Sequence, residues 1–272
     1  MKIIDFDEKF YDYAMTWMAL HPGLNEKQVE AHYNEMMLSW LNAPAKWLNG
    51  EKPGEYFQRY SEPKDLIKLL EEYDKRHYAL PEPLYSRIVA LEETCVDGLM
   101  QLAANRDKSE NLRATALSLL GEIGSPRAAG LFADLVCSES ETEELSNLAA
   151  EQLYHSSADD IALLLDRYDS VNEESQELIL EIAVNRPGDP RIYEHLVEKL
   201  RNRPEQRALY AALLGKLGDA RAIEVIKPML DMTDLSYLDY IEMRAAIEEL
   251  GGDPGEERSF YGDPDFEAIR NM

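Results

Sequence analysis

Gly218-Asp219-Ala220-Arg221 has three earlier counterparts in the chain: Gly124-Ser125-Pro126-Arg127, Ser156-Ser157-Ala158-Asp159 and Gly188-Asp189-Pro190-Arg191. The fourth residues of these quartets, at 127, 159, 191 and 221, are separated by 32, 32 and 30 positions. A fixed spacing of that size marks stacked helical pairs rather than a single globular core. Each column of the quartet has a physical reason. The first holds Gly, Ser, Gly and Gly, where an ending helix needs a residue tolerant of left-handed dihedrals. The second holds Ser, Ser, Asp and Asp, whose side-chain oxygens can accept from the free N–H groups of the next helix. The third holds Pro, Ala, Pro and Ala, at the first helical position, where the donor that proline lacks is not needed.

Three apolar columns follow each corner at spacings of three and four. They are Ala129, Ile161, Tyr193 and Ile223; Phe132, Leu164, Leu196 and Ile226; and Val136, Tyr168, Leu200 and Leu230. This is one apolar helix face repeated four times. The helix before the corner is also legible, in Leu112, Ala116, Leu119 and Ile123, in Leu178 and Ile182, and in Leu209, Leu213 and Leu217. Each unit thus reads as helix A, a tight capped corner, then helix B. Leu119-Leu120-Gly121-Glu122-Ile123-Gly124 matches Leu213-Leu214-Gly215-Lys216-Leu217-Gly218 in the same register, 94 positions on.

The stretch Leu213 to Ile223 resembles the HEAT repeat, in the short variant known from phycobilisome lyases, and the resemblance covers about residues 84–250. It implies an all-α fold, a right-handed α-α superhelix of HEAT/armadillo-like solenoid type with a divergent helical N-terminal cap. It also implies that the corner Asp and Arg residues tie neighbouring repeats together, which would give Asp189, Arg191, Asp219 and Arg221 structural roles. Asp159 stands where Arg is expected, so an interruption is expected there. The expected organisation is a cap over 1–83, repeats over 84–250 and a C-terminal capping segment over 251–272, in which Phe260, Tyr261 and Phe266 tuck onto the last hairpin formed by a helix from Tyr237 to Leu250. In that last helix Tyr237, Ile241, Ala245 and the Ile247/Leu250 edge read as the apolar side.

Composition agrees. A 45% hydrophobic, 9% aromatic chain of 272 residues can bury a real core. Cys95 and Cys137 fit neither a metal-ligand spacing nor a disulfide framework. The charged start Met1-Lys2-Ile3-Ile4-Asp5 is unlike a signal peptide, and no segment has membrane-spanning length, so a cytoplasmic location without membrane contact is expected. Fifty-three acidic against 28 basic residues give a net charge of −25, a field that repels phosphate backbones and excludes nucleic acid as the expected partner. The densest basic group, Lys199, Arg201, Arg203 and Arg207, lies at an inter-repeat turn, where cations favour the helix dipole.

The first 80 residues lack the period. A helix is expected from Phe6 to Leu20 with Phe6, Phe10, Tyr13 and Trp17 on one face. A second, capped by Asn25, is expected to run through Val29, Tyr33, Met36 and Trp40 to Leu41, and a third covers Lys64 to Arg76 with Leu66, Leu69, Leu70 and Tyr73 inward. Trp40, Leu41, Pro44, Leu48, Gly50 and Pro53 have the spacing W-L-x-x-P-x(3)-L-x-G-x(2)-P, which resembles the toxin-binding signature of Xre/MbcA/ParS-type antitoxins. That resemblance implies a toxin-binding role for this region. The same residues also read as a helix stop followed by a turn anchored on Trp40, Trp47 and Leu48.

Catalytic signatures are missing from the sequence. HEAT-type di-iron hydroxylases carry His-Glu dipeptides; here only the reversed Glu194-His195 occurs, and the pairs His32/Glu35 and Glu151/His155 stand alone. The lyase-like repeats imply bilin-type chromophore attachment or a metal-dependent enzyme as the alternative on this scaffold. The expectation is a non-enzymatic binding or scaffold protein with no cofactor, metal or catalytic residue. Its protein partner would meet the outward B-helix residues Asp134, Asp166, Arg167, Glu194, Glu198, Lys199, Glu224 and Lys227, whose mixed charge suits a protein surface.

Overall fold

The computed structural model describes residues 2–270; among these every regular element is helical and none is a strand. The chain divides into two compact units, 1–131 and 132–272.

The first unit contains α1 (Phe6–Leu20), α2 (Glu26–Ala31), α3 (Tyr33–Asn42), α4 (Pro63–Lys75), α5 (Glu82–Val89), α6 (Glu93–Ala104) and α7 (Glu110–Ile123). Asn25 caps α2 in a reciprocal capping box with Gln28. The single helix expected from Asn25 to Leu41 is divided at His32, whose carbonyl starts α3 by accepting from the Met36 N–H at 2.9 Å. Phe6 is enclosed by Trp40, Trp47, Tyr56 and Phe57, with ring centroids 5.4–6.0 Å away. The Tyr73 hydroxyl donates to the Ile4 carbonyl at 2.8 Å and ties the segment before α1 to α4. Leu66, Leu69, Leu70 and Tyr73 are all buried, as their helical spacing predicts. The expected division at 83/84 falls inside this unit, where α4 packs on α5, α6 and α7. Approach of α4 to α6 depends on Gly98, since a Cβ there would lie 2.7 Å from Ile67 Cγ1.

α8 (Ala129–Val136) crosses the boundary between the units. The second unit then continues with α9 (Glu143–Leu153), α10 (Ala158–Arg167), α11 (Glu173–Ala183), α12 (Pro190–Asn202), α13 (Arg207–Leu217), α14 (Ala222–Ile226), α15 (Tyr237–Glu249) and α16 (Pro264–Arg270). The corners behave as the quartets require. Gly124 and Gly218 adopt φ of 67° and 75°. The side chains of Ser125, Asp189 and Asp219 accept from the N–H two residues on, at 3.3, 3.0 and 3.1 Å, while Ser157 forms a capping box with Asp160. Ser156 is the exception to the first column. It is not left-handed; its hydroxyl donates to the Leu153 carbonyl at 2.6 Å, and Arg186 from the end of α11 donates to the carbonyls of His155 and Ser156.

Two of the three apolar columns are buried throughout: Phe132, Leu164, Leu196 and Ile226, and Val136, Tyr168, Leu200 and Leu230. The first column is displaced. Only Ile161 of it is buried; in the other units the neighbours Ala128, Ile192 and Ala222 are buried, while Ala129, Tyr193 and Ile223 are half-exposed. In these three units the inward position is thus the residue before the one that the spacing predicts. The fourth B helix is short because Pro228 lacks the N–H that a continuing α-helix would use, and a 3-10 turn over Lys227–Asp231 follows it.

The last A helix also turns a different face inward from the one expected. Tyr240, Met243, Ala246 and Ile247 are buried on α15, whereas Ile241 and Ala245 are exposed and Tyr237 is half-buried. The close contact between α13 and α15 decides this: a Cβ on Gly215 would lie 3.3 Å from Ala246 Cα. Beyond α15, Phe260 is buried against Tyr237 and Tyr240, and Phe266 lies 5.0 Å from Tyr237. Tyr261, expected to cover the hairpin, is 73% exposed. Asp263 caps α16 through the N–H groups of Asp265 and Phe266 and also accepts from the Tyr237 N–H at 3.1 Å, so one carboxylate holds two helix starts.

Leu196→Ala is expected to cost about 2–5 kcal/mol by chemical denaturation, because Leu196 is fully buried mid-column. A cost below 1 kcal/mol, the response of a surface position, would mean the repeat register is misplaced. In the first unit, Gly98→Ala is expected to destabilise by about 1–3 kcal/mol through overpacking against Ile67. A double-mutant cycle with Ile67→Ala checks this: the pair should lose less stability than the sum of the singles.

Candidate partner-binding surfaces

The eight B-helix candidates divide into two groups once their partners are seen. Asp134 accepts from Arg167 at 2.7 Å and Asp166 accepts from Arg191 at 2.6 Å. Arg191 also forms a bidentate pair with Asp189 in its own corner, so it joins that corner to the preceding B helix. The guanidinium of Arg221 pairs with Asp219 and lies 4.2 Å over the Tyr193 ring on α12, again one B helix back. In the first unit Arg127 reaches Asp97 and Glu93 on α6. At the second corner Asp159 makes no such bond among the described residues, and Arg167, from the other end of the same helix, takes the corresponding aspartate instead. The expected interruption is therefore bypassed by an arginine eight positions further on.

Lys199 donates to the Gln176 side chain at 2.7 Å and Lys227 to the Asp253 carbonyl at 2.6 Å. Five of the eight candidates thus serve internal contacts, and Glu194, Glu198 and Glu224 remain as exposed carboxylates on α12 and α14. Two further arginines of the basic group at the α12–α13 turn are paired, while Arg201 is exposed. Arg207 is buried and pairs with Asp234 at 3.1 Å, and Arg203 pairs with Glu173 and Glu205. Exposed pairs of this kind contribute about 0–1 kcal/mol each, so they set register and orientation more than stability.

The Trp40–Pro53 motif is largely interior. Trp40, Leu48 and Pro53 are buried, Leu41 is half-buried, and Pro44 and Gly50 are exposed. Helix α3 stops at Asn42, and the loop closes through Ala45, whose N–H donates to the Glu51 carbonyl and whose carbonyl accepts from the Gly50 N–H, both at 2.9 Å. Trp40 and Trp47 stack with centroids 6.3 Å apart, and with Tyr13, Pro44, Lys9 and Lys46 they line an open groove of about 350 Å³. His32 and Glu35 meet at 3.0 Å. Burial raises the pKa of both the Cys95 and Cys137 thiols, away from thiolate reactivity.

A further cleft lies on the A-helix side. The N-terminal halves of α9 and α11, with the 138–141 loop, enclose a cleft of about 170 Å³. Glu143, Ser146 and Asn147 face it from α9, and Glu174, Ser175, Leu178 and Glu181 from α11. Glu143 and Glu174 stand in first turns, where the helix dipole favours a carboxylate. Glu177 accepts from the Gln206 amide at 2.7 Å and the Tyr210 hydroxyl at 3.1 Å. Glu181 has neither advantage: it lies past the first turn, and burial first, then the charge of Glu177, raises its pKa against the opposing attraction of Lys216. Ser175 is 5% exposed, and its hydroxyl makes no hydrogen bond among the described residues. The signal for this site was the stripe Glu174, Glu177, Leu178 and Glu181, in which acidic residues continue beyond the turn that the dipole explains.

Neither a scan of protein-family models nor a search of curated proteins finds a match to this chain. No helix among the described residues is long and apolar enough to cross a membrane.

Glu181→Gln is expected to raise the melting temperature at pH 7. The folded-state pKa of Glu181 is raised, so its penalty is absent below the unfolded value of about 4.3 and grows as pH rises through the folded value. The gain should therefore shrink to nothing by about pH 4, near the unfolded glutamate value. An equal shift at both pH values in a scanning calorimeter would show that the carboxylate carries no such penalty.

Proposed function

We propose that the protein is a HEAT-like α-solenoid acting as a non-enzymatic binding platform for a protein partner in the cytoplasm. The observation that carries this reading is the equivalent use of equivalent positions. The columns at 132, 164, 196 and 226 and at 136, 168, 200 and 230 are interior in every repeat, and arginines at 127, 191 and 221 each reach the helix before the preceding one, α6, α10 and α12. Repeated pairs joined in this way present a series of similarly oriented helices, the property that repeat proteins use to hold extended partners. Glu194, Glu198 and Glu224, which are exposed and form no salt bridge among the described residues, are the B-helix residues best placed to meet that partner.

The test is affinity capture from native cell extract with the full-length protein, followed by the double variant Glu194→Lys/Glu198→Lys. Charge reversal on an intact fold is expected to reduce recovery of the captured partner several-fold and to steepen its loss with salt. Recovery of no partner by the wild-type protein would remove the binding-platform reading.

A further inference from the structure

We infer that the outward face of α1 docks a basic amphipathic helix of a protein partner. Five of the nine large apolar side chains exposed among the described residues, Tyr11, Met15, Leu20, Tyr33 and Leu38, lie on α1 and α3. Helical spacing sorts those of α1. Phe6, Phe10, Tyr13 and Trp17 turn to one side, where Phe6 and Phe10 are buried against Trp40. Tyr11, Met15 and Met18 follow at intervals of four and three on the opposite side. Tyr11 is 62% exposed and Met15 47%, so none of the described helices covers them. Anchors so spaced form a ridge about 10 Å long and parallel to the helix axis. That is the form of seam along which a second helix packs. The ridge lies in the first unit and shares no residue with the B-helix carboxylates, so it goes beyond the platform reading.

Charge selects the occupant. Asp7, Glu8 and Asp12 flank the ridge and are all exposed, whereas Lys9 is the only basic residue of α1. Glu8 and Asp12 share that lysine at 3.2 and 3.6 Å, and Asp7 forms no ion pair among the described residues. The rim therefore keeps a net negative charge, which a helix with Lys or Arg beside its apolar stripe complements. Met15 and Met18 supply unbranched side chains that adapt to the facing surface, and Tyr11 supplies a stiff anchor. The same charge opposes the other two occupants of an apolar helix face. A second copy would bring two acidic rims together, each on a chain of net charge −25. Helices that lie on lipid surround their apolar side with Lys and Arg, the reverse of α1.

The test uses the full-length protein with an amphipathic leucine-lysine helix, a scrambled peptide of the same composition, an amphipathic leucine-glutamate helix, and vesicles of zwitterionic or anionic lipid. Titration calorimetry gives affinity, amide NMR shifts give location, and flotation reads the vesicles. The leucine-lysine helix should bind and shift the amides of Tyr11, Met15 and Met18. The scrambled peptide should bind about tenfold more weakly, and the leucine-glutamate helix should be silent. Tyr11→Gln/Met15→Gln should weaken the leucine-lysine helix about tenfold and leave the melting temperature unchanged, since glutamine suits an exposed helical position. Met15→Lys, which leaves the buried Phe6 and Phe10 untouched, should weaken it by repulsion. As a control, Leu238→Gln/Ile241→Gln removes an exposed apolar pair from α15 and should change affinity less than about twofold. Equal losses in ridge and control variants, or equal affinity for the scrambled peptide, would overturn the proposal by showing only diffuse attraction to an acidic chain. Vesicle binding that Tyr11→Gln/Met15→Gln abolishes, with the leucine-lysine helix silent at α1, would overturn it in favour of a lipid surface. Dimerisation in sedimentation that the same variant abolishes, again with the peptide silent, would overturn it in favour of a second copy.

Discussion

The reversal of the chain within four residues is the constraint on which the rest of this structure depends. A helix ending at Gly218 can turn back at once because glycine accepts the left-handed dihedral that its successor geometry demands. The next helix can begin at once because Asp219 replaces a missing intrahelical acceptor with its own carboxylate. With both in place, Leu217 and Ala222 are interior on either side of the corner. The arginine at the fourth position is set by the same geometry. Held against its corner aspartate, Arg191 points its remaining nitrogen at Asp166, and Arg221 lies over Tyr193.

That arrangement governs how the charge is distributed. With 28 basic residues against 53 acidic ones, each internal pair uses a scarce cation and leaves carboxylates elsewhere without one. Corner arginines and the Arg203 and Arg207 pairs are internal uses of this kind. The acidic field outside is therefore a consequence of how the basic residues are spent as well as of composition. It favours cationic partners and opposes polyanions at every exposed face.

Much of the architecture was legible because corners are local. The Ser and Asp caps, the left-handed glycines at 124 and 218, the bounds of α1 and the inward face of α4 follow from residues within one helical turn of each other. What was not legible depends on contacts distant in sequence. The face of α15 is set where Gly215 on α13 lets Ala246 approach closely. Tyr261 was expected inside because it is aromatic, yet Phe260 and Phe266 already cover Tyr237. The candidate surface was legible as B-helix charge but not as available charge, since the partners of Asp134 and Asp166 lie 33 and 25 residues away.

Whether a carboxylate is part of the scaffold or free to bind thus depends on its partner rather than on its helix or exposure. Asp166 and Glu181 make the contrast. Asp166 is the more exposed, but Arg191 is held against it by a second carboxylate, and a ligand would have to displace that guanidinium to reach it. Glu181 is partly withdrawn from water, yet it has gained no hydrogen bond in exchange. A fold under selection for stability alone would replace such a residue with glutamine or leucine at little structural cost.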